Sequence, residues 1–235
     1  MFDRVIGVDK PYGWTSFDAV KKIRGALSRA SGIKKVKVGH AGTLDPLATG
    51  VLIVCTGKTT KQIDDIQKGE KEYVAEIRFG ATTPSYDLEK PIDATYPWQH
   101  ITEEDIKDVL PRFIGKVMQV PPVFSAVKID GKRAYKYARR GEEVELKAKA
   151  LEIPEMEILA WNPPDLTLRI VCSKGTYIRA IARDLGEALD SGAHLIGLKR
   201  TRVGTVRIDD CRKVEEIVNE IIENSDKIKD EIKSI

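Results

Sequence analysis

A glycine-rich loop that carries a single carboxylate constrains this chain more than any other stretch. It covers residues 39–50, with the sequence Gly-His-Ala-Gly-Thr-Leu-Asp-Pro-Leu-Ala-Thr-Gly. Its three glycines allow backbone conformations that other residues avoid, and they let a ligand approach closely. Pro46 restricts the backbone of Asp45, the only acidic residue between positions 39 and 61. Two interpretations follow: a connector before the apolar strand Val51–Cys55, or a preorganised loop that presents one carboxylate to a substrate.

Composition narrows the class of protein. With 235 residues, 42% apolar and 32% charged, the chain is typical of globular proteins and can form one large domain or two small ones. No apolar run approaches the roughly 18 residues of a membrane span, and the N-terminus lacks a secretory signal. The three cysteines, Cys55, Cys172 and Cys211, are too far apart to indicate a disulfide framework or a zinc site. We therefore expect a cytoplasmic protein without membrane or metal.

Charge is unevenly distributed along the chain. The stretch from Asp209 to Ile235 holds nine acidic and five basic residues, a net charge of −4. Because the whole chain carries +3, the remaining body carries +7. A basic body suits a partner that bears phosphates.

One phosphate-binding motif is excluded. The segment Gly57-Lys58-Thr59-Thr60 resembles the end of a nucleotide-binding P-loop, but that motif needs a glycine at position 52, where this chain has Leu52. The sequence therefore does not predict an NTPase.

A second basic stretch combines cations with aromatic residues. Six basic residues face one acid, Asp130, between positions 128 and 140: Lys128, Lys132, Arg133, Lys136, Arg139 and Arg140. Tyr135 and Tyr137 lie among them. The pattern fits either a solvated surface or contact with RNA phosphates and bases.

Periodicity predicts a mixture of strands and helices. Ser16 is the expected cap of a helix with an apolar stripe of Val20, Ile23 and Leu27. Alternation from Lys71 to Phe79 predicts a strand with Tyr73, Ala75, Ile77 and Phe79 on one face, and Thr102 with Asp105 predicts another helix start. Leu166–Cys172 reads as a strand, followed by a helix that carries Ile181, Leu185 and Leu189. Near the C-terminus, helical spacing relates Val214, Ile217, Val218, Ile221 and Ile222.

Several of these motifs resemble the TruB family of pseudouridine synthases. The loop 39–50 resembles the family's motif II almost residue for residue, and Asp9-Lys10-Pro11 with Thr15-Ser16 resembles motif I. Further matches are the segments 119–128, 173–179 and 192–204, so the resemblance spans roughly residues 4 to 204. It implies an α+β pseudouridine synthase fold, with a mixed, mainly antiparallel central sheet flanked by helices and a catalytic cleft. It also implies isomerisation of uridine 55 in the T loop of tRNA.

The resemblance implies roles for individual residues. Asp45 is the essential catalytic aspartate, acting either as nucleophile or as base, and Arg179 pairs with it. A cation is mildly unfavourable at a helix N-terminus, which agrees with a carboxylate partner for Arg179. The other expected substrate-binding residues are His40, which occupies the place of the flipped base, Tyr73, which stacks on that base, Tyr177 and Leu198. No cofactor is implied.

The resemblance also predicts domains and partners. Residues 1–208 form the catalytic domain, and a basic arm at about residues 122–150 closes over the tRNA T arm. Residues 209–235 form one amphipathic helix and no separate domain, without the PUA-type RNA-binding domain of many relatives. The loop 82–87 resembles a family loop but has Pro84 and Ser85 where Thr or Asp is commoner. We expect a monomer that binds tRNA.

Two alternatives stay open at this point. The protein could be a tRNA-binding folding factor whose catalysis is secondary, although binding alone needs no isolated carboxylate near phosphates. It could also modify another RNA that contains a T-loop-like hairpin.

Overall fold

The computed structural model describes residues 2–125, 127–129, 132–134, 137, 140, 142, 144 and 146–233. The chain divides into two compact units, of which the first combines residues up to Glu72 with those from Lys199 onward, and the second covers Tyr73–Leu198. Within the described residues, every helix is too short or too polar to cross a lipid bilayer.

Strands are numbered along the chain as β1 (Val5–Lys10), β2 (Val38–His40), β3 (Thr49–Thr56), β4 (Lys71–Phe79), β5 (Ala81–Thr82), β6 (Ala94–Thr95), β7 (Gly115–Gln119), β8 (Lys128–Ile129), β9 (Lys132–Arg133), β10 (Lys149–Ile153), β11 (Glu155–Asn162), β12 (Asp165–Cys172), β13 (Ala193–Val203), β14 (Val206–Arg207) and β15 (Arg212–Lys213). Helices are α1 (Ser16–Ser31), α2 (Ile63–Lys68), α3 (Glu103–Val109), α4 (Ile178–Ala188), α5 (Val214–Glu223) and α6 (Ser225–Lys233). Short 3₁₀ segments cover Gly57–Gln62, Leu110–Phe113 and Ile208–Asp210.

In the first unit, β3 is the central strand. It pairs with β1 and β2 in antiparallel register and with the Lys199–Arg200 part of β13 in parallel register. β15 adds to β1 in parallel. β3 is buried along almost its whole length, and its residues Val51, Ile53 and Cys55 pack with Ala41 and Val203 in one core cluster. The loop before β3 is therefore fixed to the core at both ends.

Helix α1 starts one residue earlier than expected. Thr15 is the N-cap, and a capping box joins it to Asp18, whose backbone N–H donates to Thr15 Oγ1 over 3.1 Å. Ser16 is the first residue of the helix, and its hydroxyl is used elsewhere, as described below. The apolar stripe Val20, Ile23 and Leu27 is buried, as predicted.

In the second unit, β11, β12 and β4 are neighbours in that order. On β4, the predicted face of Tyr73, Ala75, Ile77 and Phe79 is buried, and the alternation is confirmed. α3 begins at the predicted Thr102–Asp105 capping box. The buried face of α4, with the Leu189 that follows it, contains Ile181, Leu185 and Leu189, also as predicted. Helices with a mixed, mainly antiparallel set of strands confirm the α+β class.

The C-terminal segment differs from the single helix we expected. α5 ends at Glu223. The following residue, Asn224, has φ −99° and ψ 22° and donates its side-chain amide to Glu220 O over 2.9 Å, and α6 begins at Ser225. Glu220 O also accepts from the backbone N–H of Asn224 over 3.1 Å, so one carbonyl takes both donors of Asn224 where the two helices meet. Val214, Ile217, Val218 and Ile221 are buried, but Ile222 is 51% exposed and was wrongly assigned to the apolar face. Our division at residue 208 stays a prediction.

The predicted basic arm is described only in part. Lys128 lies in β8, and Lys132 and Arg133 lie in β9, which pairs with β8 in antiparallel register. Arg140 is exposed and lies 3.7 Å from Glu142. Lys136 and Arg139 lie outside the described residues. RNA contact by this arm stays a prediction.

Candidate active site

The loop that carries Asp45 is folded by its own backbone. Ala41 N donates to Ile53 O over 2.9 Å, which joins the start of the loop to β3. Gly42 has φ +105°, a conformation that favours glycine. Ala48 N donates to Asp45 O over 3.1 Å and closes a turn around Pro46. Asp45 is half-buried in this turn.

The segment that precedes α1 anchors this turn from outside. Gly13 N donates to Pro46 O over 2.9 Å. The Ser16 hydroxyl accepts from Leu44 N over 2.8 Å and lies 3.1 Å from Leu44 O, to which it donates. The residues on both sides of Asp45 are therefore bonded to one short stretch of chain. The structural role that the sequence suggested for motif I is consistent with these bonds.

Lys10 is a buried cation beneath the same loop. It is fully buried, and its ammonium donates to Pro11 O over 2.9 Å, Trp14 O over 2.6 Å and Pro46 O over 3.4 Å. The pKa of Lys10 is lowered to about 8: burial is the main cause, the charge of Asp45 opposes it, and the charge of Arg200 adds to it. Lys10 is therefore mostly charged at neutral pH, within the electrostatic reach of Asp45.

Arg200 is the residue that sequence reasoning missed. Its side chain is 1% exposed, and its guanidinium donates to Val51 O over 2.7 Å, Gly42 O over 3.1 Å and Thr43 O over 3.4 Å. One side chain thus holds both ends of the loop. The only sequence signal for Arg200 was its place in the last matched motif, and arginines in a basic run are usually exposed.

Gly50 permits this arrangement. It has φ +98°, and a Cβ placed there would overlap the backbone oxygen of Arg200 in the neighbouring strand. Only glycine lets β3 approach β13 this closely.

His40 is the last residue of β2. Burial, followed by the nearby charge of Arg200, lowers the pKa of His40, while the backbone of Gly42 opposes that shift. The neutral form of the imidazole is therefore favoured. Its Nδ1 is buried, and no group among the described residues hydrogen-bonds to it. A buried nitrogen without a partner is costly in the folded protein and is satisfied when a ligand supplies one.

Tyr177 and Arg179 lie at the start of α4, in the second unit. The side-chain amide of Gln119 pairs with the backbone of Tyr177 twice: Tyr177 N donates to Gln119 Oε1 over 2.9 Å, and Gln119 Nε2 donates to Tyr177 O over 3.1 Å. Gln119 is 4% exposed, so this pairing fixes the beginning of the helix from within the structure.

Arg179 is buried among acceptors. Its guanidinium donates to Ser85 O and Phe124 O, each over 3.0 Å, and its Nε lies 3.7 Å from an oxygen of the buried Asp87. The carboxylate expected near an arginine at this helix start is therefore Asp87, on the loop 82–87 whose role the sequence left uncertain. The pairing of Arg179 with Asp45 stays a prediction.

The remaining predicted site residues differ in exposure. Tyr73 is 8% exposed on the buried face of β4, and Leu198 in β13 is half-buried. Among the side chains that the structure describes, no group of three His, Cys, Asp or Glu residues is arranged to bind a metal ion.

Comparisons with known proteins identify the family. Residues 29–178 match the model of the TruB family pseudouridylate synthase N-terminal domain, and residues 179–234 match that of the tRNA pseudouridylate synthase B C-terminal domain. A protein of Phocaeicola vulgatus named tRNA pseudouridine synthase B is 64% identical over 211 residues, 90% of either chain. A protein of the same name from Parabacteroides distasonis is 59% identical over 97% of either chain.

Solved structures show the same fold. A chain in the crystal structure of a Cbf5–Nop10–Gar1 complex superposes with a TM-score of 0.70 at 28% identity, and covers 94% of this protein. A chain in an H/ACA RNP bound to a substrate RNA containing 2′-deoxyuridine gives 0.68 at 26% identity and 95% coverage. This protein spans only 58% and 55% of those two chains. As the motifs around Asp45 predicted, the chain belongs to the TruB family of pseudouridylate synthases.

Proposed function

We propose that this protein converts a uridine of tRNA, at position 55 in the T loop, to pseudouridine, with Asp45 as the essential carboxylate. The observation that carries the proposal is the 64% identity, across 90% of both chains, to a protein named tRNA pseudouridine synthase B. The architecture of the loop supports it, because a carboxylate that reacts with a sugar or base must be held in place before the substrate arrives.

Asp45 acts on the ribose or base of the flipped uridine. The reaction breaks the N-glycosidic bond, turns the base, and rejoins it to the sugar through carbon 5. Asp45 serves this sequence as the nucleophile or as the base that removes a sugar proton, and both routes need its ionised form. Lys10 and Arg200, both buried, place positive charge at the loop that carries Asp45.

The base must leave its stack before it reacts, and the flip needs groups that replace what the base loses. The neutral imidazole of His40 fits the vacated position, since a flat uncharged ring can stack between bases and its Nδ1 has no described partner. Tyr73 supplies the aromatic face for the flipped uracil, and Tyr177 and Leu198 close around it. Arg179 orients Asp45 once substrate is bound.

Substituting Asp45 tests the proposal. Asp45→Asn keeps the size and polarity of the side chain, so we expect tRNA affinity within a few-fold of wild type and no pseudouridine above background. Carbodiimide labelling followed by primer extension reads the product, because isomerisation leaves the mass of the RNA unchanged. Asp108→Asn, an exposed aspartate of α3, is the matched control and should behave as wild type.

The same assay on total RNA separates the alternatives. A signal at position 55 of tRNA supports the proposal. A signal only in another RNA hairpin would show that this RNA, and not tRNA, is the substrate. Product formation by Asp45→Asn, or loss of binding equal to the loss of activity, would refute the catalytic role of this residue.

Location and assembly belong to the same proposal. A tRNA substrate supports action in the cytoplasm, and we propose that the protein acts there as a monomer. Light scattering of the free protein and of its tRNA complex measures the stoichiometry.

A further inference from the structure

The first unit carries a concentrated positive charge that lies outside the predicted basic arm. Between positions 10 and 44 the chain has eight basic residues and a single acid, Asp18. Lys10 is buried, but most of the other cations are exposed. This stretch therefore accounts for a positive surface that the arm at residues 122–150 does not explain.

Helix α1 arranges part of this charge in a stripe. Phe17, Lys21, Arg24 and Ser28 follow one another at intervals of four, three and four residues, and so share one face of the helix. The opposite face, with Val20, Ile23 and Leu27, is buried. Phe17 and Lys21 are exposed, and Arg24 is half-buried.

The connection between α1 and β2 lies along this stripe. Ser28 Oγ donates to Ile33 O over 2.7 Å, and Arg24 Nη2 donates to Val38 O over 2.8 Å. These two bonds fix the connection at both ends. Its three lysines, Lys34, Lys35 and Lys37, are all exposed. The only acid in the stretch is engaged at the cap, where Asp18 Oδ2 accepts from Thr15 N and Thr15 Oγ1.

Phe17 is an exposed aromatic ring at the end of the stripe nearest the catalytic loop. It is 57% exposed, and the Arg24 guanidinium carbon lies 5.8 Å from its ring centroid. A large apolar side chain in water contributes nothing to the core, and aromatic rings beside cations are the groups that proteins use to stack nucleotides.

This surface is joined directly to the loop of Asp45. Ser16, which precedes Phe17, is bonded to the backbone of Leu44, and β2 runs from Val38 to His40 at the start of the loop. The charges are therefore held in fixed register with the carboxylate.

We propose that these residues form an RNA-binding surface that grips the phosphate backbone of the substrate next to the reacting nucleotide. This α1–β2 surface consists of Phe17, Lys21, Arg24, Lys34, Lys35 and Lys37. The lysines contact phosphates, and Phe17 stacks on a nucleotide of an unpaired region. The proposal rests on the proposed function, since it takes the same RNA as substrate.

Charge neutralisation tests the phosphate contacts. The test variant is Lys34→Gln, Lys35→Gln and Lys37→Gln; the control variant neutralises three exposed lysines of the C-terminal region, Lys213→Gln, Lys227→Gln and Lys229→Gln. Both lower the net charge by the same amount. If each lysine of the surface neutralises one phosphate, the log–log salt slope of tRNA binding flattens by about 2 units in the test variant, and affinity at low salt falls roughly tenfold to a hundredfold.

Single-turnover activity at saturating tRNA separates binding from chemistry. We expect the test variant to keep near wild-type turnover, because the three lysines lie outside the catalytic loop. Equal slopes in the test and control variants would overturn the proposal, since the surface would then contribute only through global charge.

Phe17→Ala tests the stacking. Because the ring is exposed, its removal leaves the core intact, and circular dichroism should show a wild-type melting curve. We expect KM for tRNA to rise about fivefold to a hundredfold with little change in kcat. Leu159→Ala, at an apolar position of β11 that is 47% exposed, is the control and should leave KM unchanged.

Failure of this inference is distinguishable from failure of the proposed function. If tRNA binding depends steeply on salt and on the residues of the α1–β2 surface, but no pseudouridine forms, the proposed activity is refuted and the RNA-binding role of the surface is supported. Normal activity with unaltered binding by both test variants would refute the surface and leave the activity in place. If the test variants bound tRNA as the wild type does but lost affinity for an acidic protein, RNA would not be the occupant of this surface.

Discussion

At the scale of single residues, the loop that carries Asp45 is held by two buried cations that come from opposite ends of the sequence. Lys10 holds the carbonyl of Pro46, and Arg200 holds those of Gly42, Thr43 and Val51. Buried charges need hydrogen-bond partners, and the carbonyls of the loop, together with Pro11 O and Trp14 O for Lys10, provide them. The loop thus gains rigidity from groups that would be costly to bury alone.

The pKa of Lys10 gives the enzyme a predicted alkaline limit. A charged ammonium has three hydrogens for its three carbonyl acceptors, and the neutral amine has two, so the loop loses a bond as Lys10 deprotonates. We expect turnover at saturating tRNA to fall with an apparent pKa of about 8. A profile from pH 6.5 to 9.5 measures this limb, which Lys10→Arg should shift to higher pH because a guanidinium keeps its charge.

Unfolding does not explain such a fall. The lowered pKa means that the folded protein releases this proton before the unfolded chain does. The Lys10 contribution to stability therefore becomes more favourable between about pH 8 and its ordinary pKa of 10.5. If Lys10→Arg shows the same fall in turnover at alkaline pH as wild type, the titration of another group causes that fall.

The close packing around Gly50 predicts how much stability the protein loses when this residue is replaced. In Gly50→Ala, the new Cβ meets the Arg200 backbone and the positive φ is strained, so we expect a loss of at least about 3 kcal/mol in the free energy of unfolding. Gly32→Ala is the control, because Gly32 has φ +75° with open space around it and should cost about 1 to 2 kcal/mol. Urea denaturation compares the two, and equal losses would contradict the close approach of the strands.

At the scale of elements, helix ends were harder to place than helix faces. The stripe of α1 followed from its spacing, but Thr15 and Ser16 are both good caps, and only the tertiary bond from Ser16 to Leu44 decides between them. At the C-terminus, the helical period continued through Ile222, and the period could not reveal that the helix ends at Glu223, before Asn224.

Two isoleucines of α5, one buried and one exposed, test this assignment. Ile217 is 1% exposed and Ile222 is 51% exposed, although the period assigned both to the core. Ile217→Ala should lower the free energy of unfolding by about 2 to 4 kcal/mol by leaving a cavity. Ile222→Ala should stay within about 0.5 kcal/mol of wild type. Thermal or urea unfolding measures both, and similar losses would mean that α5 packs on a different face.

At the scale of the whole molecule, family and α+β class were predictable because twelve consecutive loop residues and several further motifs carried them. Long-range partners were not predictable. Arg200 bonds to Val51, which lies 149 positions earlier in the sequence. Asp87 lies beside Arg179 although the two residues are also far apart in the sequence. Local spacing carries no information about such pairs. The surface on α1 was overlooked for another reason, since its charge is divided between a helix and the connection that follows it.

The division of the first unit between both ends of the chain affects how the protein is made. On the ribosome, the anchors at Lys10, Gly13 and Ser16 are synthesised with the loop itself, whereas Arg200 follows Val51 by 149 positions. At about 5 to 20 residues per second, that interval lasts about 7 to 30 s. The first unit also lacks its β13 segment during this time. A nascent chain therefore displays the lysines of the α1–β2 surface before Arg200 can fix the loop that carries Asp45.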